Sequence, residues 1–571
     1  MLPGRLAMTE PSFVERLRVL RLTARRSRPD RAQRGLLGFG SRWMAQPIAE
    51  FLLVPSDLRA PDPTVAAEFR QGTLGFDGVT ASFGHHSPFL VAAAPALWQS
   101  HLQGFGWLRD LASAGAVALA RRLMADWMVH FGRPDGPAWR PEILARRVIS
   151  LISHAGFLLE GVEPAFFRAV TASLGLQLRA LAVTQRAARP GLPHLQCRLA
   201  LLLADLALAG RDKARVRSEK HFLAELGRQI LPDGGHVSRN PGAVVELLLD
   251  LLPLRRCYAR RELETPADLD AAVERMLLFL RAMRLGDGSL ARFNGAGAAA
   301  RETLATLLAF APADRPLPRE FPGSGYVRLE HGATTLLMDC GSPPPLELAG
   351  AAQAGCLSFE MSDGQAPLLI NGGYPRASRA LERPVARATA SQNTLSVSGQ
   401  SSARFVNTPS VVRLCGDAGV AGPQQVALRF MEHNGAHAFE ASHDGFASAF
   451  QLIHRRRMEL SLDGRRLEGQ DWLGPRQGVL RLGRDLPFAI HFHLAPGVEA
   501  EIRTVDGRGV VALTLPGGGG WRLSAEGADV QIESSTRYDA NVPSAKSRQV
   551  VLRGACPGET TVTWTLERRP V

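Results

Sequence analysis

The stretch Arg319-Glu-Phe-Pro-Gly-Ser-Gly325 decides the fold, because the hydrophobic pattern of the chain differs on its two sides. From about residue 95 to residue 311, apolar residues recur at helical spacing, with short Gly, Pro and Asp breaks between the segments. Beyond residue 325 they alternate in short runs joined by Asp-Gly, Gly-Gly and Pro-Gly turns, which is typical of strands. The sequence therefore predicts a helical half and a β half that meet near residues 313–324.

The helical half contains a series of candidate helices at a spacing of about 25–30 residues. Such a series indicates stacked antiparallel hairpins, as in an α/α toroid or solenoid. The candidates lie at residues 107–131, 139–159, 164–186, 195–209, 217–230, 241–252, 266–285 and 299–311. We predict an α/α toroid over residues 45–315, followed by an antiparallel β-sandwich over residues 320–571.

The first 44 residues form a basic leader that precedes the toroid. Residues 12–36 mix apolar residues with arginine and lack the continuous apolar core of a secretory signal. The segment is either a basic amphipathic helix or a poorly ordered leader. We find no run of about 18 uninterrupted apolar residues and therefore predict no transmembrane segment.

The net charge of +13 comes almost wholly from arginine, because only Lys213, Lys220 and Lys546 are lysines among 67 basic residues. The arginines are scattered along the chain, so we predict no nucleic-acid partner. An acidic polymer is still a suitable ligand for a basic surface. The six cysteines form no Cys-x-x-Cys pair, which argues against a zinc ribbon or a redox motif.

Residues 231–253 supply the first candidate site. They predict a glycine turn, a polar loop and a helix capped by Asn240 and ended by Pro253. His236, Arg239 and Asn240 would then lie at a helix N-terminus, where the dipole and a guanidinium suit a carboxylate or sulfate. The competing interpretation is an ordinary capped helix after a surface turn.

A second loop resembles this one. Asp233-Gly-Gly-His leads to Arg239-Asn240, and Asp287-Gly-Ser-Leu leads to Phe293-Asn294-Gly295. In a toroid of hairpins, equivalent loops open on the same mouth, which would bring His236, Arg239, Asn240 and Asn294 together. Chance recurrence of Asp-Gly turns is the alternative.

Several motifs resemble the heparinase II/III family of polysaccharide lyases. They are His101-Leu-Gln-Gly-Phe-Gly-Trp-Leu-Arg-Asp-Leu111, Leu357-Ser-Phe-Glu-Met361, Leu368-Leu-Ile-Asn-Gly-Gly-Tyr374 and Ser391-Gln-Asn-Thr-Leu395. The resemblance implies a toroid-plus-sandwich enzyme that cleaves an acidic polysaccharide, such as a glycosaminoglycan, by β-elimination. It also implies the periplasm or cell envelope, although the missing signal sequence leaves a cytoplasmic location open.

The resemblance implies roles for particular residues. A lyase needs donors that neutralise the uronate carboxylate, a base for the α-proton and an acid for the leaving oxygen. We assign Arg239 and Asn240 as neutralisers, His236 as the base and Tyr374 as the acid. His194, Asn294 and Arg376 would contact the substrate. The alternative is that both residues are structural: Tyr374 would be an aromatic side chain in a turn, and His194 would be a histidine packed in the core.

The chain also departs from the family pattern. Where the metal-bearing members carry histidines and an aspartate, this chain has Gln353, Asn371 and Gln392, which are poor zinc ligands. We therefore expect no cofactor and no metal. Two further functions stay open: a catalytically inactive protein that binds a glycan or assists envelope assembly, and a toroid glycoside hydrolase.

Overall fold

The computed structural model describes residues 12–36, 48–297, 299–312, 314–375, 377–433, 436–476, 485–505, 508–538 and 544–569. Its architecture confirms the predicted α/α toroid followed by antiparallel sheets. One apolar core runs through both halves. At their boundary the rings of Phe279 and Phe321 pack edge to face, with centroids 5.6 Å apart.

The helical half is built from helices that pack as antiparallel neighbours around buried Leu, Ala and Trp side chains. They are α2 (Val65–Gln71), α3 (Ala96–Gln103), α4 (Trp107–Ser113), α5 (Val117–Phe131), α6 (Pro141–Ser153), α7 (Ala155–Leu159), α8 (Pro164–Thr184), α9 (Leu192–Ala207), α10 (Asp212–Gln229), α11 (Pro241–Arg260), α12 (Ala267–Ala282) and α13 (Arg301–Leu308). A hairpin, β1 (Thr73–Phe76) and β2 (Val79–Ser82), follows α2.

Helix α11 confirms its predicted start and corrects its predicted end. The Asn240 side chain accepts a hydrogen bond from the Gly242 amide (2.8 Å), and Pro241 occupies the first turn. Pro253 was expected to end the helix, yet the helix continues to Arg260. A proline inside a helix costs about 3 kcal/mol. The extra turns bury Leu254, which offsets this cost.

The β half begins with a five-stranded antiparallel sheet that faces the toroid. Its strands are β3 (Glu320–Phe321), β4 (Tyr326–His331), β5 (Thr334–Asp339), β6 (Phe359–Asp363) and β7 (Ala366–Leu369), in that spatial order. The central strand β5 is entirely buried, and its neighbour β4 is buried over residues 326–329. This sheet is therefore the part of the β half that packs against the helical half.

Two further antiparallel sheets complete the sandwich. The eight-stranded sheet has the order β11 (Val426–His433), β12 (Ala436–His443), β13 (Leu452–Leu460), β14 (Arg466–Pro475), β21 (Thr560–Arg569), β18 (Gly520–Glu526), β17 (Arg508–Thr514) and β16 (Glu499–Val505). The four-stranded sheet has the order β19 (Asp529–Arg537), β20 (Ala545–Cys556), β15 (Leu486–His493) and β8 (Leu395–Val397). Two short strands, β9 (Arg404–Val406) and β10 (Gly419–Ala421), pair beside them.

The basic N-terminal segment forms a helix, α1 (Phe13–Leu36). It packs against α8 and the 3-10 turn Gln185–Ala187 of the toroid. It also packs against a short helix of the sandwich, Pro409–Cys415. Helix α1 therefore lies across the line where the two halves meet.

One segment of the helical half, Pro164–Ala187, is long and apolar enough to cross a membrane by composition alone. Its helix α8 packs against α6 and α9 within the toroid. The six cysteines are unpaired, and all but Cys415 are buried.

Candidate functional site

The two Asp-Gly loops adopt the same backbone, which confirms the repeat inferred from the sequence. An isolated antiparallel bridge closes each loop, and the glycine of each Asp-Gly pair has a positive φ (87° and 82°). The bridges pair Ile230 with His236 and Arg284 with Leu290. Both loops point at the five-stranded sheet.

Arg239 follows the first loop and reaches from the toroid into the sandwich. Its Nε donates to Ser324 O (2.7 Å), and its Nη1 donates to Gly341 O (3.0 Å) and Ser342 O (2.9 Å). Nη2 forms an ion pair with the Asp339 carboxylate. Burial alone would lower the pKa of Arg239, but Asp339 outweighs it and raises that pKa. The guanidinium assigned to a substrate carboxylate is thus bound to a carboxylate of the protein.

Asn294, from the second loop, converges on the same aspartate. Its Nδ2 donates to Asp339 Oδ2 (2.9 Å) and to the Tyr326 hydroxyl (2.9 Å). That hydroxyl donates in turn to the carbonyl of Arg239, whose guanidinium carbon lies 5.1 Å from the tyrosine ring centre. We call Arg239, Asn294, Tyr326 and Asp339 the polar joint. All four residues are buried.

Two members of the polar joint, Tyr326 and Asp339, were missed by the sequence reasoning. Tyr326 is the first residue of β4, and Asp339 is the last residue of β5. A carboxylate that ends an apolar strand was the available signal. The ion pair joins Asp339 to Arg239, which lies 100 residues earlier in the chain, so it forms only when the two halves dock.

His236, assigned as the base, is also buried, with 1% of its surface exposed. Its Nε2–H donates to Gln229 Oε1 (2.9 Å), and Nδ1 accepts from the Ser238 hydroxyl (2.7 Å) and amide (3.1 Å). Burial lowers the pKa of His236 to about 4, so the ring is neutral at pH 7. Neutrality suits a base, but both ring nitrogens are already bonded within the protein.

His194 lies near the start of α9 and reaches solvent. Its Nδ1 is 3.2 Å from Glu225 Oε1, and Gln229 Nε2 donates to the same oxygen (2.6 Å). Gln229 is also the partner of His236, so one chain of polar contacts runs from the surface histidine to the buried one. Despite burial, hydrogen bonds from His194 and Arg228 lower the pKa of Glu225 to about 2.

The other assigned residues lie apart from this chain. Asn240 is occupied as the cap of α11. Tyr374 is half-buried beside Arg383, whose guanidinium carbon is 5.6 Å from its ring centre. Burial raises the pKa of Tyr374, while Arg383 and Arg387 oppose that rise. Arg376 lies outside the described residues.

Glu360 forms a second polar contact between the halves. Its Oε2 accepts from the Arg292 amide in the second loop (3.1 Å), and its Oε1 accepts from the Asn371 amide (2.8 Å). The side chain is buried, and burial raises the pKa of Glu360 to about 7. The carboxyl therefore titrates near neutral pH.

Basic side chains gather on α9, α10 and the adjoining 3-10 turn. We call them the basic rim: Arg186, Arg198, Arg217, Lys220 and His221. Burial lowers the pKa of Arg198, and Arg186 and Arg228 add to the effect. Desolvation lowers the pKa of His221, and the positive charges of the other four rim residues lower it further. Lys220 and His221 lie three and four residues after Arg217 on α10, so these side chains are neighbours on one face of that helix.

The positions matched to the family's zinc ligands do come together. Gln353 and Gln392 both donate to Ala386 O (3.4 and 2.9 Å), and Gln353 also donates to Gly373 O (2.9 Å). The Asn371 Nδ2 donor and the Gln353 Oε1 acceptor are buried without a hydrogen-bond partner. Carboxamides are poor zinc ligands, and two of these already donate to backbone carbonyls, so these side chains do not fit zinc. Within the described ranges, we find no group of three His, Cys, Asp or Glu that could hold a metal.

This arrangement separates two kinds of group. The polar joint and His236 are shielded from water and satisfied by internal bonds, which suits a structural connection. The basic rim, with the His194–Glu225 pair at its edge, is open to solvent. Exposed cationic side chains of this kind are able to bind anions reversibly.

Comparison with known proteins places the fold in a family. Residues 313–565 match the heparinase II/III-like C-terminal domain. FtsZ-localized protein C of Caulobacter vibrioides is 31% identical over 528 residues, covering 90% of this chain and 89% of that protein.

Two solved structures share the fold at low identity. The crystal structure of heparinase III superposes with a TM-score of 0.69 at 13% identity, covering 86% of this chain and 80% of that one. Heparan sulfate lyase HepC from Pedobacter heparinus gives a TM-score of 0.60 at 15% identity, covering 96% and 88%. The chain belongs to the heparinase II/III-like family.

Proposed function

We propose that this protein binds an acidic polysaccharide at the basic rim and does not cleave it. One observation carries the proposal. Exposed cationic side chains cluster at the rim, whereas the residues assigned to catalysis in the first loop are consumed by internal contacts. The ligand class is a uronate-containing or sulfated glycan, because closely spaced guanidinium groups bind carboxylates and sulfates well.

The side chains at the positions matched to the family's zinc ligands support the same proposal. Gln353 and Gln392 donate to backbone carbonyls, and Asn371 Oδ1 accepts from the Asn393 amide. We infer that this branch has exchanged the metal site for an uncharged amide cluster. Chelators should then leave the melting temperature unchanged.

β-Elimination is the second candidate, and the surroundings of Tyr374 favour it. A half-exposed tyrosine beside Arg383 is a suitable acid donor for a leaving oxygen next to a bound carboxylate. In this candidate His194, which contacts Glu225 and reaches solvent, would be the base, and it would have to reach the same sugar residue as Tyr374.

Ultraviolet absorbance separates the two candidates, because elimination creates an unsaturated uronide and binding does not. Full-length protein would be incubated with heparin, heparan sulfate, alginate and polygalacturonate, and the same polymers would be immobilised for retention. We expect retention without a rise in absorbance. A rise that is lost in both His194→Gln and Tyr374→Phe would overturn the proposal in favour of a lyase. New reducing ends without the chromophore would indicate hydrolysis.

A further inference from the structure

Helix α1 carries an unusually exposed apolar surface. Phe13 is 74% exposed, Leu17 42% and Leu20 63%. Their spacing of four and three residues places them on one face of the helix, and we call them the outer stripe. Val14, beside the stripe, is 73% exposed. A row of large exposed apolar side chains of this kind marks an interaction surface.

The opposite face of α1 is fixed to the sandwich. Val19 is buried in a small apolar cluster with residues that include Leu346 and Val411. On either side of it, Glu15 accepts from the Arg404 guanidinium (2.8 Å to each oxygen), and Arg18 pairs with Glu347 (2.6 Å). The outer stripe is therefore held facing outward by contacts on the inner face.

The charge of α1 indicates which kind of partner the outer stripe would contact. The helix contains eight arginines and two acidic residues. Arg16 and Arg21 are exposed on the two sides of the stripe. An apolar stripe flanked by cations is the pattern of a helix that lies in the interface of an anionic bilayer. Guanidinium groups bind lipid phosphates, and apolar side chains enter the acyl boundary.

A protein partner suits the stripe less well. A stable protein interface buries about 800 Å² on each partner, which is far more than three side chains on one helix supply. An acidic polysaccharide would use the arginines but would gain nothing from Phe13, Leu17 and Leu20. We propose that α1 docks this protein onto an anionic membrane surface, with the outer stripe inserted between headgroups. This function is separate from glycan binding at the basic rim.

Vesicle flotation tests the proposal with the full-length protein. We expect binding to vesicles of phosphatidylglycerol and phosphatidylcholine, and weak binding to phosphatidylcholine alone. The double variant Leu17→Gln/Leu20→Gln should bind at least about tenfold more weakly, because it lacks two leucine side chains that would be buried in the bilayer. The variant Arg16→Gln/Arg21→Gln should lose a similar factor and much of the salt dependence.

The matched control changes two exposed valines outside α1. Val129 is 79% exposed and Val216 61%, so Val129→Gln/Val216→Gln removes similar apolar surface and should float like the wild type. Melting temperatures should agree among all variants, because no buried contact changes. Wild-type failure to bind anionic vesicles, or equal binding by the stripe variant, would overturn the proposal. So would a stripe variant that binds vesicles normally but shifts from dimer to monomer in light scattering, since a second copy would then cover the stripe.

Discussion

At the scale of single residues, His236 is one of the buried histidines that make stability fall in acid; His491 and His493, with pKa values lowered by burial to about 4 and about 3, act in the same direction. The folded pKa of His236, about 4, lies below the value of 6.5 in the unfolded chain, so the unfolded state binds the proton more readily. The stabilising contribution is therefore complete above pH 6.5 and is lost as the pH falls toward 4. The shift of about 2.5 units corresponds to about 3 kcal/mol.

We expect His236→Gln to remove this acid-dependent loss, whatever its baseline stability. Urea unfolding between pH 4 and pH 6.5 would measure the slope of the unfolding free energy. The surface variant His221→Gln is the control, because that side chain is exposed and should leave the slope nearly unchanged. Identical slopes in wild type and His236→Gln would contradict the burial of a neutral imidazole.

Glu360 acts in the opposite direction. Its pKa is raised by burial from 4.5 to about 7, so the folded state holds the proton more tightly than the unfolded state does. Its stabilising contribution is complete below pH 4.5 and is lost as the pH rises through 7, again by about 3 kcal/mol. Glu360→Gln should remove this contribution, so that the slope of the unfolding free energy between pH 5 and pH 7 becomes more positive than in the wild type in the same urea titrations.

Between pH 4.5 and pH 6.5 the effect of Glu360 opposes that of His236, but His491 and His493 add to the effect of His236. The wild type should therefore lose stability as the pH falls through this window, and each single variant should change the slope by the contribution of the group it removes. A Glu360→Gln protein that still loses stability toward pH 7.5 would show that another group is responsible.

At the scale of elements, the cap of α11 gives a direct test. The Asn240 carboxamide accepts from the Gly242 amide, and loss of such a cap costs about 1 kcal/mol. Asn240→Ala should lower the unfolding free energy by that amount, measured by urea denaturation. Asn240→Asp keeps the acceptor and should stay within about 0.5 kcal/mol of the wild type. Equal losses in both variants would point to a role other than capping.

Elements with a clear local pattern were predictable from the sequence. The cap of α11 and the two equivalent loops follow from spacing and turn residues. The end of α11 was not predictable. Whether the helix passes Pro253 depends on apolar burial supplied by the surrounding helices, which no local window contains.

The candidate site was less predictable because its interactions are long-range. The sequence predicted that Arg239 and Asn294 lie close together. It did not predict the Asp339 carboxylate that both of them bind. Docking of the toroid on the five-stranded sheet supplies that partner. An arginine at a helix N-terminus looks the same in sequence whether it awaits a ligand or an internal aspartate.

At the scale of the whole molecule, the polar joint should make the two halves unfold together. Asp339→Asn leaves the buried Arg239 without its ion pair, which typically costs 3–5 kcal/mol. Because the joint connects the halves, we expect calorimetry to show one transition in the wild type and two in this variant. Glu330→Gln is the control: Glu330 is 54% exposed, and its partner Arg328 keeps its bonds to two carbonyls of the toroid. One unchanged transition in Asp339→Asn would contradict the coupling.

The proposed function requires that anions bind at the basic rim without being cleaved. Calorimetric titration with heparin oligosaccharides tests this requirement most directly. Arg186→Gln/Arg217→Gln removes two exposed charges from the rim. Arg70→Gln/Arg122→Gln removes two exposed charges from α2 and α5. The account predicts about tenfold weaker binding and a smaller salt dependence for the rim variant alone, with oligosaccharides recovered intact. Equal affinity in the two variants, or recovery of unsaturated fragments, would contradict it.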